Sequence, residues 1–267
     1  MAAAGGAFAE GSPCWTDAML PDLEAGRRFY GGLFGWTFGA PAPPERGFYT
    51  IALLDGARAA ALSRKPDGRL PTAWTVHFAT PDAGAAAARV RAAGGQLVTE
   101  PVPVGRAGTT ATAVDPGGAA FGLWQPDLLT GFEVTGRPGA YVWTEVCTRE
   151  KAPVDAFYAR VFGYGMHPAA PGREADDIMV WTLPGAPGDD EHAVGARTMI
   201  DDTYPVEMPA HFLVYFAVAD CDAAVRAAAR RGGRAVEGPD DASYGRHAVL
   251  VDDQGARFGV LEAPAAA

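Results

Sequence analysis

At 267 residues, 48 % hydrophobic and 20 % charged, the chain can bury one large core or two ordinary ones, which excludes general disorder. A formal net charge of −10, with basic residues scattered apart from Arg226, Arg230, Arg231 and Arg234, excludes a nucleic-acid partner, which needs a basic footprint. Three cysteines without metal or redox spacing (Cys14, Cys147, Cys221), no apolar run of membrane length and no signal-peptide pattern exclude a disulfide scaffold and a membrane partner, and point to the cytoplasm.

Residues 1–11 are small and read as a flexible N-terminus. Pro13–Leu20 alternates as a strand, with Trp15, Asp17 and Met19 on one face and Cys14, Thr16 and Ala18 on the other. Asp22 is placed to cap a helix whose Phe29, Tyr30, Leu33 and Phe34 stripe needs a sheet to pack on, and Gly35 is its natural stop. Short strands follow around 36–39, 48–54 and 58–63, the last two joined by the hairpin pair Asp55-Gly56.

After a loop at 65–71 the pattern returns. A strand at 74–80 leads to a helix capped by Asp82 and stopped at Gly94-Gly95. Strands near 96–100, 109–114 and 119–125 follow, with Asp115-Pro116-Gly117-Gly118 as the last turn. Residues 127–139 lack periodicity and read as a linker between domains at 12–126 and 140–264.

The second half repeats the plan. Trp143-Thr144-Glu145-Val146-Cys147 echoes the first strand, and Pro153 sits in the first turn of a helix with Val154, Phe157, Tyr158, Val161 and Phe162 on one stripe. Strands near 178–183 and 193–199 flank a polar loop at 185–191. A strand at 211–218, a helix at 222–231 closed by Gly232-Gly233, and strands ending at 248–251 and 257–261 complete the set. The turn Asp252-Asp253-Gln254-Gly255 answers Asp115-Pro116-Gly117-Gly118. A strand-helix-strand-strand-strand unit is therefore used four times.

Four such units, with helices closing in Phe-Tyr-x-x-(Leu/Val)-Phe-Gly-(Trp/Tyr), resemble the vicinal oxygen chelate superfamily of glyoxalase I, extradiol dioxygenases and bleomycin-resistance proteins. Arg91-Ala92-Ala93-Gly94-Gly95, Arg230-Arg231-Gly232-Gly233 and the two Asp turns strengthen the likeness. The resemblance implies an α+β fold: four βαβββ units paired into two tandem domains, each an open curled sheet forming a cup with helices outside. It also implies four metal-ligand positions per cup. Here the first-strand positions hold Trp15 and Trp143, the fifth-strand positions Thr75 and Leu213, and the last-strand positions Gly122 and Gly259. The fourth-strand stretches 59–62 and 194–197 contain no carboxylate or histidine. Indole and glycine do not ligate a hard cation, so no metal and no cofactor are expected.

What remains in the cups are Trp15 and Trp143, either as stacking walls for a flat ligand or as fillers of the vacated metal cavity, with Gly122 and Gly259 leaving space opposite. Asp17 and Glu145 point into the same cups, as acid–base groups or as structural carboxylates tied to an Arg or a backbone N–H. His77 is placed either on a ligand or as a hydrogen-bonded core histidine. Met19, Thr75, Trp124, His211 and Tyr215 complete the expected ligand lining, while His167, His192 and His247 carry no spacing signal.

The likeness is nearest to tandem, metal-slot-free actinomycete proteins labelled hydroxylase- or glyoxalase-like. It implies a metal-independent protein acting on, or accompanying, an aromatic or polycyclic natural product in antibiotic biosynthesis. Its chemistry would be that of a lyase, isomerase or cyclase, or that of an accessory to a hydroxylase. The alternative is a non-catalytic binding or resistance protein; a metal-dependent glyoxalase or dioxygenase would need ligands that the cup positions lack. The expected partner is a small aromatic or polycyclic ligand, and the expected form a monomer with two pseudo-symmetric domains or a weak homodimer.

Overall fold

The computed structural model describes residues 8–169 and 177–263. The first unit comprises β1 (Pro13–Leu20), α1 (Leu23–Phe34), β2 (Thr37–Phe38), β3 (Thr50–Leu54) and β4 (Ala57–Arg64). The second comprises β5 (Ala73–Ala79), α2 (Ala83–Ala92), β6 (Gln96–Pro103), β7 (Gly108–Val114) and β8 (Ala120–Pro126). The third runs through β9 (Tyr141–Thr148), α3 (Lys151–Phe162), β10 (Gly165–Pro168), β11 (Ile178–Thr182) and β12 (Ala193–Met199). The fourth runs through β13 (His211–Ala217), α4 (Cys221–Ala229), β14 (Arg234–Ala242), β15 (Gly245–Val251) and β16 (Arg257–Glu262).

Local chemistry explains the element ends. Asp22, Asp82 and Asp220 cap α1, α2 and α4 by accepting from the backbone N–H groups of Ala25, Ala85 and Ala223. Gly35 and Gly163 close α1 and α3 in the left-handed region, at φ 75° and 73°. The strands β10 and β14 escape the sequence reading because Gly-Met-His-Pro is short, and because Arg234–Ala242 is polar and half exposed at a sheet edge.

Each pair of units forms one eight-stranded sheet, ordered β2-β3-β4-β1-β5-β8-β7-β6 in the first and β10-β11-β12-β9-β13-β16-β15-β14 in the second. Neither sheet closes on itself, so each is an open, curled α+β layer. At the centre, β1 lies parallel to β4 and antiparallel to β5, and β5 lies parallel to β8. The second sheet repeats this with β12, β9, β13 and β16.

The helices lie between the sheets and exchange partners. Phe34 of α1 packs on Phe216 of β13 at a ring distance of 4.9 Å, and Phe162 of α3 packs on Phe78 of β5 at 5.2 Å. Tyr30 donates to Asp252 at 2.9 Å, and Tyr158 donates to Asp115 at 3.1 Å, across the domain boundary in both directions. The helix motif and the turn motif of the sequence thus meet, each with the other domain's copy. Asp115 also accepts from the N–H groups of Gly117 and Ala119, and Asp252 from those of Gln254 and Ala256, which holds both turns tight.

The stretch read as a linker is packed along the chain's own core. The Phe132 N–H donates to the Cys14 carbonyl at 2.8 Å, the Trp36 indole N–H to the Gly139 carbonyl at 2.7 Å, and the Gly139 N–H to the Ala217 carbonyl at 2.8 Å. Of the expected flexible N-terminus, residues 1–7 lie outside the described residues. Phe8 lies edge-on to Phe132, and Gly11 accepts from the Tyr164 hydroxyl. The expected end of the second domain at 264 also falls outside the described residues.

Candidate functional site: two unequal cups

In the first cup the register sets Trp15 beside His77 and His77 beside Gly122, with Asp17 one step along beside Thr75 and Ala61. The Trp15 indole donates to the Tyr49 hydroxyl at 2.7 Å, and that hydroxyl donates to Asp17 Oδ2 at 2.8 Å. His77 Nε2 meets the same oxygen at 3.0 Å. A carboxylate oxygen only accepts, so Nε2 carries the proton of this contact. Burial, then the Asp17 charge, pushes the Tyr49 phenol far above its usual range, so it stays a donor.

Nδ1 of His77 is buried without a partner, and it faces Gly122, where an added Cβ would lie 1.9 Å from it. The space expected opposite Trp15 is therefore filled by the imidazole. Trp15 itself is 3 % exposed and tilted on Phe132 with ring centres 5.5 Å apart. Trp124 is 7 % exposed and donates its N–H to the Leu129 carbonyl at 2.8 Å. Met19 and Thr75 stand half-buried on the cup face, flanking Asp17. Asp17 and His77 keep 15 % and 12 % of their side chains exposed, and Asp17 Oδ1 has no hydrogen-bond partner among the described residues.

The second cup holds the matching carboxylate by different means. Tyr215, at the position of His77, donates to Glu145 Oε1 at 2.7 Å, and Thr198 donates to Oε2 at 2.7 Å. Gly259 seats the Tyr215 ring as Gly122 seats His77, with an added Cβ falling 2.1 Å from the ring. Here too the expected gap is occupied. Trp143, unlike Trp15, is half-buried, and its indole N–H meets no acceptor among the described residues.

Cys147, Leu213, Tyr215 and Val249 form a small apolar cluster separate from the main core, with Trp143, Tyr204, Met208 and Leu261 against it. Tyr204 and Met208 reach it from the segment 200–210, which Arg149 straps down by donating to the carbonyls of Ile200, Asp201 and Pro205 at 2.9, 3.2 and 2.8 Å. Two charged residues also belong to this cup. Arg257 shares a face of β16 with Gly259 and donates to Glu237 of β14 at 3.2 Å. Burial, then Glu237, pushes the Tyr204 phenol up to about 12. His211 lies across from Cys147, and its Nδ1 lies 2.9 Å from the Pro209 carbonyl.

The sequence reading did not pick out Tyr49, Thr198, Tyr204, Glu237 or Arg257. Only Arg257 had a usable signal, since it stands two residues before Gly259 on the same strand face. The others come from loops, or from a strand whose register the pattern does not fix.

The family's divalent cation does not fit these cups. The residues expected at the ligand positions, Trp15, Thr75 and Gly122 in one cup and Trp143, Leu213 and Gly259 in the other, include no carboxylate or imidazole. Among the described residues no three His, Cys, Asp or Glu side chains gather where they could hold a metal. Nor, among those residues, is any helix long and apolar enough to cross a membrane.

A family model described as a glyoxalase-like domain matches residues 16–124 and again 143–261. The chain is 38 % identical over 269 residues to the anthracycline biosynthesis protein DauV of Streptomyces sp. (strain C5), covering 96 % of this chain and 94 % of that one. It is 35 % identical over 260 residues to the putative glyoxylase CFP32 of Mycobacterium tuberculosis (strain CDC 1551 / Oshkosh), covering 96 % of each. Among solved structures, the 2,3-dioxygenase LapB from Pseudomonas sp. KL28 superposes with a TM-score of 0.65 at 15 % identity, covering 97 % of this chain and 93 % of that one. The Mn(II)-bound glyoxalase from Novosphingobium aromaticivorans does so with a TM-score of 0.65 at 16 % identity, covering 95 % and 83 %. At such identities these two likenesses show the fold alone.

Proposed function

This chain belongs to the glyoxalase-like, vicinal oxygen chelate family, and from that premise we propose that it acts on, or accompanies, an aromatic polycyclic natural product in secondary metabolism. The observation that carries the reading is the pair of carboxylates, Asp17 and Glu145, each held on a cup floor by two side-chain donors. The relatives' names supply the class of compound; the cups supply the chemistry.

Asp17 is oriented through Oδ2 by Tyr49 and His77, which leaves Oδ1 to take a proton from an acidic C–H or O–H and return it elsewhere on the same molecule. Such transfer gives isomerisation, cyclisation or ring opening without redox change, and a positioned base contributes on the order of 10²–10⁴ in rate. The donor set gives no support for routing the reaction through a metal, so the proposed chemistry is metal-independent. We place the protein in the cytoplasm, as a monomer with two pseudo-symmetric domains or a weak homodimer.

A second reading, a protein that binds and sequesters such a compound, is favoured by the second cup, where both Glu145 oxygens are already engaged. Titrating tryptophan fluorescence with a panel of hydroxyanthraquinones and anthracyclines tests both. Quenching is expected, carried by Trp143. If Asp17→Asn and Glu145→Gln keep quenching and lose turnover, the enzyme reading stands; if neither changes, sequestration stands. Quenching by no member of the panel overturns both.

A further inference from the structure

The second cup's carboxylate is spent on Tyr215 and Thr198, yet three polar groups beside it are not. A backbone carbonyl only accepts, so the 2.9 Å contact of His211 Nδ1 with Pro209 places the proton on Nδ1 and leaves Nε2 as a lone pair. Nε2 is not sealed from solvent and makes no hydrogen bond among the described residues. Arg257, 28 % exposed, spends one N–H on Glu237, and its other donors meet no acceptor among the described residues. The Trp143 N–H is likewise open.

These groups share one face of the sheet. The register sets His211 beside Cys147, Leu213 beside Glu145 and Tyr215 beside both Trp143 and Gly259, and Arg257 stands two residues before Gly259 on β16. Burial, the largest influence, lowers the His211 proton affinity and keeps the imidazole neutral, as an accepting base must be. The first cup has nothing like this: Ala120 stands where Arg257 does, Ala73 where His211 does, and Trp15 is covered.

Building on the function proposed above, we propose that the second cup takes a planar hydroxylated quinone or aromatic ketone in its anionic form. His211 Nε2 is the proton acceptor, and the Arg257 guanidinium is the partner of the oxyanion. The ligand's acidic O–H, or a C–H next to its carbonyl, gives its proton to Nε2. The electron pair of the broken bond stays on the ligand as phenolate or enolate, and the negative charge settles on oxygen facing Arg257. Return of the proton, to the same atom or to another carbon, restores neutral His211 and consumes no other reactant. The rings lie against Trp143 under Tyr204 and Met208.

Quinizarin, a dihydroxyanthraquinone whose absorption moves to longer wavelength on ionisation, tests this with the full chain. Quenching of tryptophan fluorescence reports binding, and the visible spectrum across a pH series reports ionisation. The midpoint for bound quinizarin is expected about 1–2 pH units below that of the free dye, the usual size for an anion gaining a nearby cation. In Arg257→Gln and in His211→Gln the shift is lost and affinity above the dye's midpoint falls in step with it, while quenching by the neutral dye below that midpoint persists; Arg257→Lys recovers part of the shift. Quenching with an unshifted wild-type midpoint overturns this inference and leaves the general function standing, as does a shift that survives in both Gln variants. Absence of quenching overturns the two together. An unshifted wild-type midpoint overturns the inference even if a variant does not fold, and Arg257→Lys, which keeps the charge, stands in for a Gln variant that fails to fold.

Discussion

At the scale of single residues, the two glycines are the positions on which each cup's geometry turns. Gly122 and Gly259 do not open space for a ligand; they make room for a neighbour's ring one strand away. Gly122→Ala should therefore push the His77 imidazole off Asp17 and lower stability by about 1–3 kcal/mol, the usual cost of overpacking. Thermal melting, with the His77 ring signals followed by NMR, checks it; an unchanged imidazole environment would mean that the ring has another place to go. Alternation along β1, β9, β5 and β13 was enough to put Asp17, Glu145, His77 and His211 on cup faces. It could not show that Tyr49 and Thr198 complete the carboxylate sites. Tyr49 lies outside the strands, and Thr198 reaches Glu145 only through the parallel pairing of β12 with β9.

At the scale of elements, caps and turns were readable because their chemistry is local. An Asp before a helix, or Asp-Gly between strands, is satisfied by atoms a few residues away. The segment 200–210 is different. It has no strand or helix of its own, and it is held across the second cup by three carbonyl contacts from Arg149, which sits at the end of β9. Removing that guanidinium leaves the carbonyls of Ile200, Asp201 and Pro205 without their shared donor. Arg149→Ala should raise amide hydrogen exchange in 200–210 and weaken binding of planar dyes in the second cup. The exchange of β5 and β8 in the first sheet should stay as it was. Equal exchange in 200–210 before and after the substitution would show that the strap is held by something else.

At the scale of the whole molecule, the two domains fold around one core rather than beside each other. Tyr30 and Tyr158 each leave their own domain to reach a buried carboxylate in the other, so the pair of domains should unfold in one transition. Tyr30→Phe and Tyr158→Phe should each cost about 1–3 kcal/mol, because a buried acceptor loses its donor. Burial raises the proton affinity of Asp115 and Asp252 in the folded state above its unfolded value. The folded chain thus binds more protons just above the ordinary carboxylate range, and the contribution of these two groups to stability is lost as pH rises through that window. Replacing both with Asn should flatten that part of the stability–pH curve, which denaturant titrations at stepped pH would reveal; an unchanged slope would place its origin elsewhere. The sequence by itself determined the four repeated units, the helix caps at Asp22 and Asp82, the inward faces and the family, because periodicity and turn chemistry act over a few residues. Only the tertiary structure decided that the stretch expected to link the domains is packed, that each helix motif pairs with the other domain's turn, and that the two cups are unequal. Those outcomes depend on which distant side chain fills a given space once curled sheets pack, and no spacing along the chain encodes that.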